Sequence, residues 1–285
     1  MSKAKKQHYI PRFYLKNFCN IDNIIFCYDK VKDKWYSANI MDIGHENLFY
    51  EIGELLPGTI ENNLAKKDDL FNRGYSRLLQ SRDVNKLEEY ARKFLFLFIT
   101  TQYFRTGEVR EDIQNICDQA IGKLVKKSGT KIPEGLRIHV HPESIKRFHL
   151  DMILDREMIF SVTDILSHQE WIVSENETGI PLWTSDNPVT IDNRYSGELG
   201  LASKGREIHF PLPPKLCLTS FDPTTHKRPV TKNIDFMNVH YHNVLQIKRS
   251  KRFIYSPDYD FSLVRSFLKN YPYFKDAHLQ RTRVY

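Results

Sequence analysis

Two short runs near the start of the chain, Ile24 to Asp29 and Lys34 to Asn39, flank a Lys30-Val31-Lys32-Asp33 turn and read as a β-hairpin. Leu48-Phe49-Tyr50 predicts a third short strand. From Thr59 the apolar period lengthens. Ile60, Leu64, Phe71, Tyr75, Leu78 and Leu79 recur at helical spacing, with Thr59 as the N-cap. A second helix is predicted from about Val84 to Phe104. The stretch Phe94-Leu95-Phe96-Leu97-Phe98-Ile99 near its end is apolar almost all round, so it belongs in the core. A third helix starts at Gly107 and passes Leu124, and a fourth covers roughly Pro142 to Leu166. The pattern then shortens again. Strands are predicted at Trp171-Ile172-Val173, Pro181-Leu182-Trp183-Thr184, Leu216 to Ser220 and Arg252 to Tyr255, with helices over Asn233 to Gln246 and Phe261 to Leu268. Asp192 to Arg206, with three glycines, reads as a long surface loop of the kind that is functional when it occurs in a compact domain.

Strands, then helices, then mixed elements argue for an α+β fold, because a doubly wound sheet would alternate strand and helix. A lone hairpin is only marginally stable. The expected architecture is therefore a helical lobe (about 59–166) inserted between the N-terminal hairpin and C-terminal strands that together form one mixed sheet. The chain is a single domain of two lobes, with 1–58 and 167–285 as the sheet lobe.

Composition narrows the class. The 285 residues are 41% hydrophobic and 27% charged, enough apolar material for a sizeable core and too little for a membrane protein. Lys plus Arg is 42 and Asp plus Glu 35, so the net charge of +7 permits a polyanionic partner without requiring one. Cysteines at 19, 27, 117 and 217 form no Cys-x-x-Cys pair. The basic Met1 to Lys6 runs into Gln7-His8-Tyr9 rather than an apolar h-region, and the six-residue apolar run is far short of the ~20 needed to span a bilayer. A cytoplasmic protein with reduced thiols and no membrane partner is expected.

Four segments stand out. They are His8-Tyr9-Ile10-Pro11-Arg12-Phe13-Tyr14-Leu15-Lys16-Asn17-Phe18, then Gln102-Tyr103-Phe104-Arg105-Thr106, then Thr184-Ser185-Asp186-Asn187-Pro188-Val189, and finally Pro211-Leu212-Pro213-Pro214. In this order, from about residue 7 to 256, the chain resembles the family catalogued as domain of unknown function 4238. The resemblance carries no activity, so the chemistry has to come from the residues.

His8 is a metal ligand or general base, or else a helix-entry histidine bonded to a carbonyl. Glu61 and Asp68 are seven apart and share a helix face, but lie roughly 10 Å apart along the axis, too far to share one small ion easily. Gln102 and Arg105 share a face just after the greasiest run. They form either an anion clamp or a structural ion pair with Glu61, Asp68 or Asp186. Asp186 and Asn187 sit in a tight post-strand turn, where side-chain oxygens cap nearby N–H groups or present a catalytic carboxylate. Lys248, Arg249, Lys251 and Arg252 form the densest basic cluster and are the candidate contact to a nucleic-acid backbone. His139-Val140-His141 and His240-Tyr241-His242 each lack a third ligand, and neither reads as a metal site.

Two readings follow. In the first the protein is an enzyme on a phosphate-containing substrate, most naturally a nuclease-like effector. His8, Glu61, Gln102, Arg105, Asp186 and Asn187 are its working groups, and Glu61 and Asp186 hold Mg²⁺ or Mn²⁺. In the second it is a non-catalytic binding or regulatory protein, and the same polar residues fix the join between helical lobe and sheet.

Overall fold

The computed structural model describes residues 6–52, 58–130, 133, 139–193, 200–201, 203–222, 224–225 and 232–279. Met1 to Lys5, at the basic start of the chain, lie outside them, as does most of the segment between Asp192 and Arg206.

The fold is α+β. Strand β1 (Lys6–His8) leads through Pro11 into the short helix α1 (Arg12–Leu15). The hairpin is as expected, β2 (Ile24–Asp29) pairing antiparallel with β3 (Lys34–Asn39). The third N-terminal strand falls earlier than predicted. β4 is His45–Asn47, and Leu48 turns the chain with φ +55°, so Phe49 and Tyr50 drop into the core instead of extending a ladder.

The helical lobe contains α2 (Thr59–Ser81), α3 (Glu89–Phe104), α4 (Gly107–Lys127), α5 (Pro142–Leu154) and α6 (Arg156–Ser167). The predicted fourth helix is thus two. Asp155 is extended and its carboxylate accepts from the N–H of Met158, the N-cap chemistry that competes with continuing a helix. Helices α2 and α3 run antiparallel. Gly74 permits their close approach, since a Cβ there would stand 2.5 Å from the Leu95 nitrogen and 2.6 Å from the Ala91 oxygen. This brings the start of α2 against the end of α3.

The C-terminal part holds β5 (Glu170–Asn176), β6 (Thr184–Ser185), β7 (Thr190–Asn193), β8 (Arg206–Pro211), β9 (Leu216–Phe221), β10 (Asn233–Ile234), α7 (Phe236–Arg249), β11 (Phe253–Ser256) and α8 (Ser262–Asn270). The hairpin joins these strands as expected, through β2 against β11, with Tyr28 opposite Ile254. The sheet is divided more finely than the single one anticipated. One sheet has the order β3-β2-β11-β6, another β10-β5-β9-β8-β7, and β1-β4 makes a two-stranded ribbon. The main core lies between the helices and the five-stranded sheet. A smaller one, with Tyr28, Trp183, Ile247, Ile254 and Phe261, lies between the four-stranded sheet and α7–α8. Among the described residues, no helix is long and apolar enough to cross a membrane, and all four cysteines are unpaired.

Candidate functional site

All four sequence motifs meet around α1. The Tyr9 carbonyl accepts from Gln102 Nε2 (3.1 Å) and Arg105 Nε (2.9 Å). Five residues on, the Tyr14 hydroxyl donates to the Pro211 carbonyl at 2.8 Å and lies 2.8 Å from Thr184 Oγ1. The Tyr14 ring stacks on Phe210 at 5.0 Å and 12°. Segments as distant in sequence as 9, 102, 184 and 211 therefore share one buried node, and each of these bonds links the sheet lobe to the helices or to itself.

Arg105 is 1% exposed and largely committed. Besides Tyr9, its Nε contacts Gln102 Oε1 at 3.0 Å, and its Nη1 donates to Asp68 Oδ1 at 3.1 Å. The antiparallel α2–α3 pair makes this ion pair, because it sets the third turn of α2 beside the residue that follows α3. Burial pushes the Asp68 carboxyl up and nearby Glu61 adds to this, against the pull of Arg105. Among the described residues Arg105 Nη2 has no hydrogen-bond partner.

His8 and Glu61 come together. The His8 backbone N–H donates to Glu61 Oε1 at 3.1 Å, and the same oxygen lies 3.8 Å from the ring Nδ1. Glu61 is in the first turn of α2, where the helix dipole favours an anion. The β1–β4 register then sets His8 directly opposite His45, with ring centroids 5.2 Å apart and planes at 67°. Sequence reasoning missed His45, because only the cross-strand pairing connects it to His8. Buried Gln7 holds the ribbon to the next segment, its Nε2 donating to Glu51 Oε1 (2.6 Å) and its Oε1 accepting from the Tyr50 N–H (2.6 Å). Burial, His8 and Lys6 together hold the His45 imidazole below its usual pKa. His8 Nε2, both ring nitrogens of His45, Glu61 Oε2 and Arg105 Nη2 are covered atoms with no protein hydrogen-bond partner. Covered polar atoms are normally paired. Four of these five atoms belong to the His8–His45–Glu61 group.

Asp186 and Asn187 are not part of this group. The Asp186 carboxylate accepts from three successive backbone N–H groups, those of Lys251 (2.9 Å), Arg252 (2.7 Å) and Phe253 (2.8 Å). Burial pushes its carboxyl up, while these amides and Lys30 oppose the shift. Asn187 Nδ2 donates to the Arg249 carbonyl, and Ser185 Oγ to Gln246 Oε1. The turn therefore staples the end of α7 to the start of β11. Asp186 makes no hydrogen bond or ion pair with His8, Glu61 or Arg105. No hydrogen bond or ion pair links Glu61 to Asp186, the expected metal pair, and among the described residues no group of three or more His, Cys, Asp and Glu is arranged to hold a metal ion.

The basic cluster also divides. Lys251 pairs with Glu111 at 2.9 Å, and Arg252 makes a two-pronged pair with Asp29 at 3.0 and 2.7 Å. Lys248 and Arg249, in the last turn of α7, instead line an open groove.

The chain belongs to the family described as "Protein of unknown function (DUF4238)", whose model matches residues 6–260. Neither a curated protein nor a solved structure matches it significantly.

Proposed function

We propose that this protein cleaves phosphodiester bonds of nucleic acid, as a nuclease-like enzyme, using His8 and His45 as an acid–base pair. The observation that carries the reading is the imidazole pair on the β1–β4 ribbon, backed by Glu61 and lined with unpartnered polar atoms. His45 is kept neutral by its surroundings and takes the proton from the attacking hydroxyl. His8, oriented by Glu61, gives a proton to the leaving oxygen. Arg105 Nη2 is the remaining guanidinium donor for charge that builds on the phosphoryl oxygens. Lys6, which is paired with Asp42 at 2.6 Å, and Arg12 lie near His45 and lower its pKa. Because the nitrogen edges of both rings are covered, the ribbon must open locally to admit substrate.

Imidazole acid–base chemistry needs no bound metal. Cleavage should therefore be measured on labelled RNA and single-stranded DNA both in EDTA and with Mg²⁺ or Mn²⁺. The expected result is activity in EDTA that falls on the order of 10²-fold or more in His45→Ala and in His8→Asn, with unchanged melting temperatures. No cleavage by the wild type under any of these conditions, or full cleavage by both variants, overturns the proposal. Activity only with metal present replaces the imidazole pair with metal-dependent hydrolysis.

The non-catalytic reading is favoured for Asp186, Asn187 and most of Arg105. Asp186 and Asn187 bond to backbone groups and fix the turn from α7 into β11, while Arg105, within the buried node, fixes the join between lobes.

A further inference from the structure

Beside α7 runs a groove of about 690 Å³, within the range of small-ligand sites. One wall is the α7 face that carries Lys248 and Arg249 at its C-terminal end. The other is formed by Phe267 of α8, by Tyr271 just after it, and by Tyr273 and Phe274 of the 3-10 turn Pro272–Lys275. Tyr271 is 46% and Tyr273 54% exposed, so phenol faces are presented to solvent rather than packed away. The rings are mutually braced, Tyr273 against Phe274 at 4.6 Å and Phe267 against Phe274 at 5.4 Å. The cationic end is braced as well, since Asn187 holds the Arg249 carbonyl and Lys30 Nζ donates to the carbonyls of Ile247 and Ser250. Cations near a helix C-terminus also complement its dipole, but that does not account for an open aromatic wall facing them.

We infer that this groove binds unpaired bases of a single-stranded nucleic acid, with the exposed tyrosines stacking on the bases and Lys248 and Arg249 contacting the phosphates. Open π-faces suit unpaired bases, because a duplex hides both faces of each base in its own stack. The two cations beside the aromatic wall match the phosphate spine of such a strand. This inference deepens the phosphodiesterase reading and rests on it for the identity of the substrate. It assigns the groove to holding the strand and leaves the bond-breaking to the His8–His45 ribbon.

Binding is tested apart from cleavage by fluorescence anisotropy of a labelled oligouridylate with the full-length His45→Ala protein in EDTA. The expected result is binding that Tyr271→Ala and Tyr273→Ala each weaken about tenfold. Lys248→Gln with Arg249→Gln should flatten the dependence of log affinity on log salt by roughly one and a half, at about 0.7 per phosphate contact on a single strand. Circular dichroism of the three variants should match the parent, since all four side chains are at the surface or half-buried. Equal affinity for a duplex of the same sequence, equal affinity for free uridine monophosphate, or no effect of either tyrosine variant overturns the inference. Groove binding without any cleavage by wild-type protein removes the catalytic reading and leaves this one standing. Cleavage with unchanged binding in the tyrosine variants does the reverse.

Discussion

His8 and His45 face each other across the two-stranded β1–β4 ribbon with ring centroids 5.2 Å apart, although 37 positions separate them in the chain. In the proposed reaction their different surroundings divide the labour. His8 has a carboxylate 3.8 Å from its ring, and His45 has burial and neighbouring positive charge. A base must be neutral to act, and a lowered pKa extends its neutral range downward. The acid limb of a kcat/KM–pH profile for phosphodiester cleavage is therefore expected below pH 6.5, the ordinary histidine value. In Lys6→Gln that limb should move up, because one source of positive charge is gone. A limb unmoved by Lys6→Gln and lying above 6.5 contradicts the assignment of His45 as base.

Arg105 anchors the end of α3 to α1 and α2 at once. Arg105→Ala leaves the Tyr9 carbonyl to Gln102 alone and the half-buried Asp68 carboxylate without its partner, and should cost about 3 kcal/mol of stability. Arg105→Lys keeps the charge but cannot reach Tyr9 O, Gln102 and Asp68 together, and should cost about 1–3 kcal/mol. Urea denaturation of both variants gives the comparison. If the lysine variant is as stable as the parent, the guanidinium fork has no structural role.

Asp186→Asn separates structure from catalysis. The amide keeps one acceptor oxygen and turns an NH₂ group toward backbone donors, so at least one of the Lys251, Arg252 and Phe253 amides loses its partner. The expected loss is about 1–3 kcal/mol per stranded donor. Amide exchange at 251–253 should accelerate, while cleavage per folded molecule stays near the parent's. A folded, stable Asp186→Asn protein without cleavage would return Asp186 to the catalytic set.

Two buried imidazoles give an acid sensitivity. Burial lowers His149 and His242 to about 3. His149 Nε2 reaches the Phe104 carbonyl, and its Nδ1 accepts from Arg110, an arrangement that only the neutral ring with its proton on Nε2 can make. Above pH 6.5 both rings are neutral folded or unfolded. As pH falls below 6.5 the unfolded chain takes up protons that the folded chain refuses, so stability drops by about 1.4 kcal/mol per pH unit for each histidine until pH approaches 3. Carboxylates held low, such as Asp222 at about 2, add to the loss only at lower pH. Denaturation midpoints at pH 7, 6 and 5 should fall steadily, and His149→Gln should reduce the slope. A flat profile over that range contradicts the burial of both rings.

The α2–α3 contact depends on one missing methyl group. Gly74→Ala places a Cβ 2.5 Å from the Leu95 nitrogen, so the helices must move apart. A loss of about 1–3 kcal/mol in stability is expected. The Asp68–Arg105 pair should loosen with it, read as faster exchange of the Arg105 side-chain protons. A Gly74→Ala protein as stable as the parent shows that the contact is not tight.

Much of the architecture is local and was legible for that reason. The hairpin over residues 24–39, the long helices from Thr59 to Lys127 and the greasy run of α3 follow from period and turn residues, which act over a few residues, although Gly58 and not the expected Thr59 is the N-cap of α2. Where local rules compete, the outcome needed the fold. Asp155 breaks one predicted helix into two by capping the second. Leu48 ends a predicted strand, and Asp235 delays α7, its carboxylate accepting from the Asn238 N–H, so that Asn233–Ile234 can pair with β5. The division of the strands between two sheets was likewise not legible, because ladder partners are chosen by long-range packing rather than by the strand's own sequence.

The sequence by itself determined an α+β chain with a helical insertion, the pairing of its hairpin with C-terminal strands, and a short set of polar residues embedded in motifs. Only the tertiary structure decided which of those residues meet. His8 and Glu61 come together, and the antiparallel α2–α3 pair sets Arg105 on Asp68. The β1–β4 register brings in His45, which no local pattern marks. Asp186 and Asn187 go instead to the end of α7, where backbone amides left open by the turn from helix to strand require acceptors. Charge shows the same split. Four basic residues in five positions look alike along the chain, but Glu111 and Asp29 take two of them, and the remaining two face an aromatic wall contributed by residues after 266. The physical reason is common to these cases. A side chain's partners depend on distances in space, and those are fixed by helix and strand packing between segments far apart in sequence.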